Sequence, residues 1–206
     1  PAAPAAVVHE AHSRLGRLDA VVLNAGYGLA RTAEATSDAD WLAILRVNLL
    51  ATAAGMRAAV PLMRTQPLRD GWRGRIMIVS SSLARRAAPD TGAYSATKAA
   101  CHQLGRIASL ELAPIGVRVN MVAPDAVFAE GKYKSGLWQE VGADRMKARG
   151  LDEKGLHEYY RSRNLLKARV TGRHVANAVY YFVSRQSPTT GATIPVDGGL
   201  PDATPR

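Results

Sequence analysis

Three short apolar runs constrain this chain more than any other feature. "LDAVVLNAG" (18–26), "RIMIVSSS" (75–82) and "GVRVNMVAP" (116–124) are apolar at consecutive positions through their centres, not at alternate ones. A strand that is apolar on both faces has to be covered on both, which is the condition of a parallel sheet held between helices. The intervening segments have the matching helical pattern. "TSDADWLAILRVNLLATAAGMRAAVPLMR" (36–64) opens at an N-cap candidate, Ser37, and "AYSATKAACHQLGRIASLELA" (93–113) is closed by Pro114. "VTGRHVANAVYYFVS" (170–184) starts from Thr171, and "TGATIPVDGG" (190–199) adds a last strand and a turn. The expected fold is therefore α/β, a Rossmann-like doubly wound parallel sheet in one domain spanning 1–206.

Composition removes several alternatives. The 206 residues are 47% apolar and 21% charged, a globular balance and not a disordered one. No 18 consecutive residues are apolar, so no membrane span is expected, and the opening "PAAPAAVVHEAHSRLGRL" lacks the basic start of a signal peptide. The single cysteine, Cys101, fits a reducing, cytoplasmic setting. The formal charge of +10 raises the question of a nucleic-acid partner. The basic residues are dispersed and carry no interleaved aromatics, so none is expected.

In open parallel sheets ligands sit beyond the carboxyl ends of the strands. Those ends here carry Asn24 and Gly26, Ser80 to Ser82, and Pro124 with Asp125. On the helix that follows the second run, Tyr94 and Lys98 lie four residues apart and share a face. A phenol ordinarily ionises near pH 10, and an ammonium beside it favours the phenolate. Ser81, thirteen residues before Tyr94, can donate to an oxygen on which charge develops. Asn48 stands in the apolar run "RVNLL", where an amide needs a partner. Each feature alone is common, but their order and placement are not.

The chain resembles the short-chain dehydrogenase/reductase family from about residue 5 to residue 199. The resemblance is carried by "LDAVVLNAG", "VNLLATA", "GRIMIVSSS", "AYSATKAA", "ELAPIGVRVNMVAP" and "TGATIPVDGG". It implies NAD or NADP as cofactor and hydride transfer between the nicotinamide and a carbinol carbon of a small alcohol or carbonyl substrate. It also implies that Tyr94 is the acid/base, that Lys98 lowers its pKa and binds the nicotinamide ribose, and that Ser81 polarises the substrate oxygen. Asn48 would anchor a water in the relay to Lys98. Asn24, Ala25 and Gly26 would border the adenosine part, and Pro124, Asp125 and Val127 would also touch the cofactor. The Ala-rich helices resemble the family's subunit contacts, which implies a homodimer or homotetramer. A narrower resemblance, in "PDAVF", "SGLW", "EYYRSRNLLK" and "TTGATIPVDGGLPDATPR", is to the dehydrogenase domain of bifunctional rhamnulose-phosphate aldolase/short-chain dehydrogenase proteins. It implies a fused aldolase domain and a substrate such as lactaldehyde.

The sequence departs from the family in three places. No Gly-x-x-x-Gly-x-Gly precedes "LDAVVLNAG", so the chain is expected to be a fragment lacking its N-terminal strands, about 60 residues at roughly 30 per βαβ unit. The competing expectation is a stand-alone remnant, catalytically silent and acting through protein contacts. The family's Pro-Gly is Pro124-Asp125 here, and its later threonine is Ala129. Residues 126–169 form an insertion too long for a plain connection, expected to be a substrate loop or lid with one or two helices between Asp152 and Leu166. Arg85 and Arg86 read either as a solvated pair or, with Lys132 or Lys134, as an anion site. No metal site is expected from His9 and His12, which no cysteine or carboxylate cluster joins.

Overall fold

Each apolar run forms a strand in the computed structural model, which describes residues 2–133, 135–184 and 187–201. Lys134 lies outside the described residues. The strands are β1 (Ala20–Leu23), β2 (Gly74–Val79), β3 (Val117–Pro124) and β4 (Thr193–Val196). They lie in the order β1-β2-β3-β4, and every neighbouring pair is parallel. Leu23 is in register with Ile78, Val79 with Val122, and Pro124 with Val196, which aligns the carboxyl ends along one rim. β1 and β2 stop short of the expected bounds because Asn24–Gly26 and Ser80–Ser82 leave the ladder at that rim.

The two faces of the sheet are covered by different helices. Ile76 and Ile78 of β2 pack with Val119 and Met121 of β3 against α1 (Ala2–Leu15), α3 (Ala51–Thr65) and α4 (Gly92–Leu112). Met77 and Val122, which point the opposite way by strand alternation, pack under Phe182 of α7 (Gly172–Val183). β1 is one of the two edge strands, and its Val22 is 46% exposed on the α7 side. The expected helix starts form: Ser37 Oγ accepts from Asp40 N–H at 3.2 Å, and Thr171 N–H donates to His174 Nδ1 at 3.0 Å.

The helical run Asp38–Thr65 comprises α2 (Asp38–Leu45), a π turn (Arg46–Leu50) and α3. Although no 18 consecutive residues are apolar, by length and composition this run is long and apolar enough to cross a membrane. In this fold its apolar face is core, with Ala54, Ala59 and Met63 buried.

The insertion folds as α5 (Gly136–Arg149) and α6 (Glu153–Ser162), with Asp152 capping α6 through Gly155 N–H at 2.7 Å. Its own small core joins Phe128, Leu156 and Tyr160, with Trp138 stacked on Phe128 at 5.7 Å.

Helix α4 must approach β2 and β3 closely to bring Tyr94 and Lys98 over the strand ends. Gly105 permits this approach, since a Cβ there would stand 2.7 Å from Met121 Sδ and 3.0 Å from Ile78 Cδ1. Gly105→Val is expected to lower the free energy of unfolding by about 1–3 kcal/mol, read from the urea midpoint, because the core is closed around that position.

Candidate functional site

The strand ends, α4 and the insertion enclose a cleft of about 880 Å³. Ser81, Tyr94 and Lys98 line it together with Asn24, Ala25, Gly26, Pro124, Asp125 and Val127. Asn48 does not line the cleft and lies beneath it.

Tyr94 is 9% exposed. Burial pushes its phenol above the ordinary value, while a hydrogen bond with Ser81 and the charge of Arg145 pull it back. Ser81 Oγ accepts from Leu83 N–H at 3.2 Å, which leaves its hydroxyl proton free to point toward Tyr94 or a bound oxygen. Lys98 Nζ donates to Val79 O at 3.0 Å and stands 5.8 Å from the centre of the Tyr94 ring. Burial lowers its pKa from the ordinary 10.5. Both members of the pair are thus held toward their neutral forms.

Asn48 has the partner that its apolar surroundings demanded. It sits in the π turn, and its Oδ1 accepts from Tyr27 N–H at 2.7 Å. Its Nδ2 donates to Tyr27 O at 3.1 Å and to Thr97 Oγ1 at 3.0 Å. The π turn also frees the Asn48 carbonyl, which accepts from Thr52 Oγ1 at 2.8 Å and Cys101 Sγ at 3.0 Å. Thr97 and Cys101 flank Lys98 on α4. Asn48 therefore positions the lysine by gripping the helix on either side of it. A Cβ on Gly26 would lie 3.5 Å from Lys98 Nζ and 3.9 Å from Asn48 Oδ1, so the Asn-Ala-Gly turn passes between the two.

Asp125, where the family pattern has glycine, joins the insertion to the strand ends. Its Oδ1 accepts from Ser82 Oγ at 2.9 Å, and its Oδ2 accepts from Arg163 at 2.6 Å in a largely buried ion pair. Trp138 Nε1 donates to Val127 O at 2.8 Å, and Gly28 N–H donates to Glu140 at 3.0 Å. Arg145 donates to Tyr160 Oη at 2.7 Å and also lines the cleft. Trp138, which reads from the sequence either as a packing residue or as a lid contact, lines the site, and Leu137, Arg145 and Tyr160 do so without having been expected there. The amphipathic pattern of the insertion could mark a packed face, but nothing in the spacing said which residues would face Tyr94.

The two readings of the arginine pair divide between its members, Arg85 remaining exposed. Arg85 turns away to donate to His102 Nε2 at 2.9 Å, and Lys132 lies against the Tyr133 ring. Only Arg86 of the two lines a cavity. His102 is pushed down by burial and by Arg85 and Arg106, and with Nε2 accepting, its Nδ1 faces Ser80 Oγ at 3.5 Å.

Residues 1–201 match the family model described as enoyl-(acyl carrier protein) reductase. The chain is 33% identical over 192 residues to the uncharacterized oxidoreductase YuxG of Bacillus subtilis, covering 93% of this chain and 27% of that protein. It is 31% identical over 194 residues to L-2,3-butanediol dehydrogenase of Corynebacterium glutamicum, covering 94% and 71%. A solved structure of a putative short-chain dehydrogenase/reductase from Burkholderia xenovorans superposes with a TM-score of 0.77 at 26% identity, covering 97% and 70%. The chain spans only about a quarter of YuxG.

Two outcomes check this geometry. Asn48→Leu strands the Tyr27 backbone pair and the Thr97 hydroxyl, and is expected to cost at least about 2 kcal/mol in urea unfolding. Lys98 has a lowered folded pKa, so its protonated form costs stability below that value, and the cost fades as pH rises toward 10.5. The stability deficit of the wild type relative to Lys98→Met should therefore shrink with rising pH. A pH-independent difference would contradict the assignment.

Proposed function

Because the chain belongs to the short-chain dehydrogenase/reductase family, we propose that it carries the proton-transfer half of an NAD- or NADP-dependent oxidoreductase. Its substrate would be a small secondary alcohol or sugar-derived hydroxyaldehyde, interconverted with the corresponding carbonyl. The observation that carries this reading is the meeting of Ser81, Tyr94 and Lys98 in one cleft at the strand ends.

The cleft residues fit the nicotinamide–ribose end of such a cofactor: Gly26 keeps the space beside Lys98 Nζ open, and Lys98 has ammonium protons beyond the one given to Val79 O. Asn24–Gly26, Lys98, Pro124, Asp125 and Val127 would hold it, and when bound it supplies or accepts the hydride. In the oxidising direction Tyr94 Oη takes the hydroxyl proton of the substrate, and in the reducing direction it returns one to the carbonyl oxygen. Ser81 donates to that same oxygen and steadies the charge that develops on it. Ser81 and the charge of Arg145 favour the phenolate, and Lys98, in its protonated form, would add to that field. Asn48 holds α4 so that these groups stay in register.

The insertion serves as the substrate loop in this reading, docked by Asp125–Arg163 and by Trp138 over Val127. A homodimer or homotetramer would bury Ile107 and Leu110, which α4 exposes. A fused aldolase domain in the parent protein rests on the narrower sequence resemblance alone; the likeness to YuxG, nearly three quarters of which lies outside the match, would accord only with a longer parent. Cys101, a buried free thiol, suits a cytoplasmic protein.

Tyr94→Phe, made in the protein that carries this chain, is expected to lower kcat by about 10²–10⁴ while NADH titration by fluorescence is unchanged. Turnover near the wild-type rate in that variant would overturn the proposal.

A further inference from the structure

We propose that the cleft opens into a basic bay that captures an oxyanion at the far end of the substrate, a phosphate ester or a carboxylate. The proposal rests on Tyr94 as the point of proton transfer. A second cavity, of about 580 Å³, shares Leu83, Asp125, Arg145 and Tyr160 with the cleft. A molecule whose carbinol carbon lies at Tyr94 can therefore extend its other end past Arg145 into this space.

The charges around the bay do not cancel. Of its cations, Arg31 is taken by Asp40 at 2.7 Å and Arg163 by Asp125 at 2.6 Å. Arg86, Arg145, Lys147 and Arg149 also line it, and among the described residues none of the four has a carboxylate within ion-pair distance. Asp90 and Asp144 are the other acidic groups facing the space, so positive charge is in excess.

Aromatic rings, not carboxylates, hold Arg149 and Arg145, and Arg163, already paired with Asp125, lies over a ring as well. Arg149 lies over Tyr159 at 5.1 Å, Arg145 over Tyr160 at 5.7 Å, and Arg163 over Tyr160 at 4.3 Å. Stacking fixes a guanidinium plane while leaving its N–H edge to donate, as paired recognition of a phosphate or carboxylate requires. The Tyr159 phenol registers the resulting field. Burial pushes it up, yet hydrogen bonding from Arg149 and the charges of Arg163 and Arg149 hold it below its ordinary value. Arg145 reaches both ends, since its charge also draws on Tyr94.

The test titrates glycerol phosphate, glycerate and glycerol into the chain by calorimetry, with the double variant Arg86→Gln/Arg149→Gln alongside. The anions are expected to bind and glycerol not to. The double variant should weaken anion binding about tenfold or more, and Arg86→Lys/Arg149→Lys should restore part of it. Tighter glycerol phosphate assigns the bay to phosphate esters, and tighter glycerate assigns it to carboxylates. Absence of anion binding, or equal affinity in the double variant with an unchanged melting midpoint, overturns the proposal. In the holoenzyme, the double variant should raise KM about tenfold for anionic alcohols while kcat and the KM of neutral alcohols hold. The two failures are separable. An active Tyr94→Phe protein that still binds anions through the arginines sinks the earlier reading and with it the bay's place at the far end of the substrate, but not the anion site itself. A dead one whose anion affinity ignores the arginines sinks only this one.

Discussion

The side chain of Asn48 is the joint on which the site depends. It is 1% exposed, and it spans the loop after β1, the π turn within the long helix, and α4. A buried amide left unpaired costs more than its hydrogen bonds return, so these three elements can move relative to one another only by breaking all of its bonds together. The π turn interrupts regular helix, and what it provides is a free carbonyl that Thr52 and Cys101 satisfy. Lys98, between Thr97 and Cys101 in sequence, inherits its position from this arrangement.

Electrostatics at the site work against burial. Water exclusion favours neutral Tyr94 and neutral Lys98, so any activation must come from fixed neighbours. Ser81 and Arg145 supply it from opposite sides, one on the second strand end and the other on the insertion. The insertion is kept in place by the Asp125–Arg163 pair, whose charges are mutually compensated and further bonded by Ser82. The aspartate that breaks the family's Pro-Gly pattern thus has a structural reason in this chain: it anchors the segment that brings Arg145 to Tyr94.

Legibility in the sequence followed the range of the interactions. The strands and the helices α4 and α7 were readable because apolar periodicity and caps are local signals, and Ser37, Thr171 and Pro114 sit at or beside the boundaries they announced. Ser81, Tyr94 and Lys98 were readable because one strand end and the helix that follows it carry all three. The sequence left Arg85 and Arg86 open between a solvated pair and an anion site, because adjacent residues on a turn point in different directions; Arg85 stays exposed and bonds to His102, and only Arg86 lines the bay. Arg145 and Tyr160 were not readable at all, and Trp138 only as one alternative, since they reach the cleft only through the packing of α5 and α6 on Phe128.

By itself, the sequence determined a parallel sheet between helices, the strand ends as the place for chemistry, and the tyrosine, lysine and serine that stand there. Each of these follows from hydrophobic period and chain order, which act over one or two elements. Only the tertiary structure decided what surrounds those residues. It gave Asn48 its partners, gave Asp125 its arginine, and gathered a basic bay beside the cleft from the loop after the serines and from the insertion. The physical reason is that charge and amide pairing depend on distance in space, and residues more than a hundred positions apart, such as Gly28 and Glu140, become neighbours only when the sheet and the insertion close on each other.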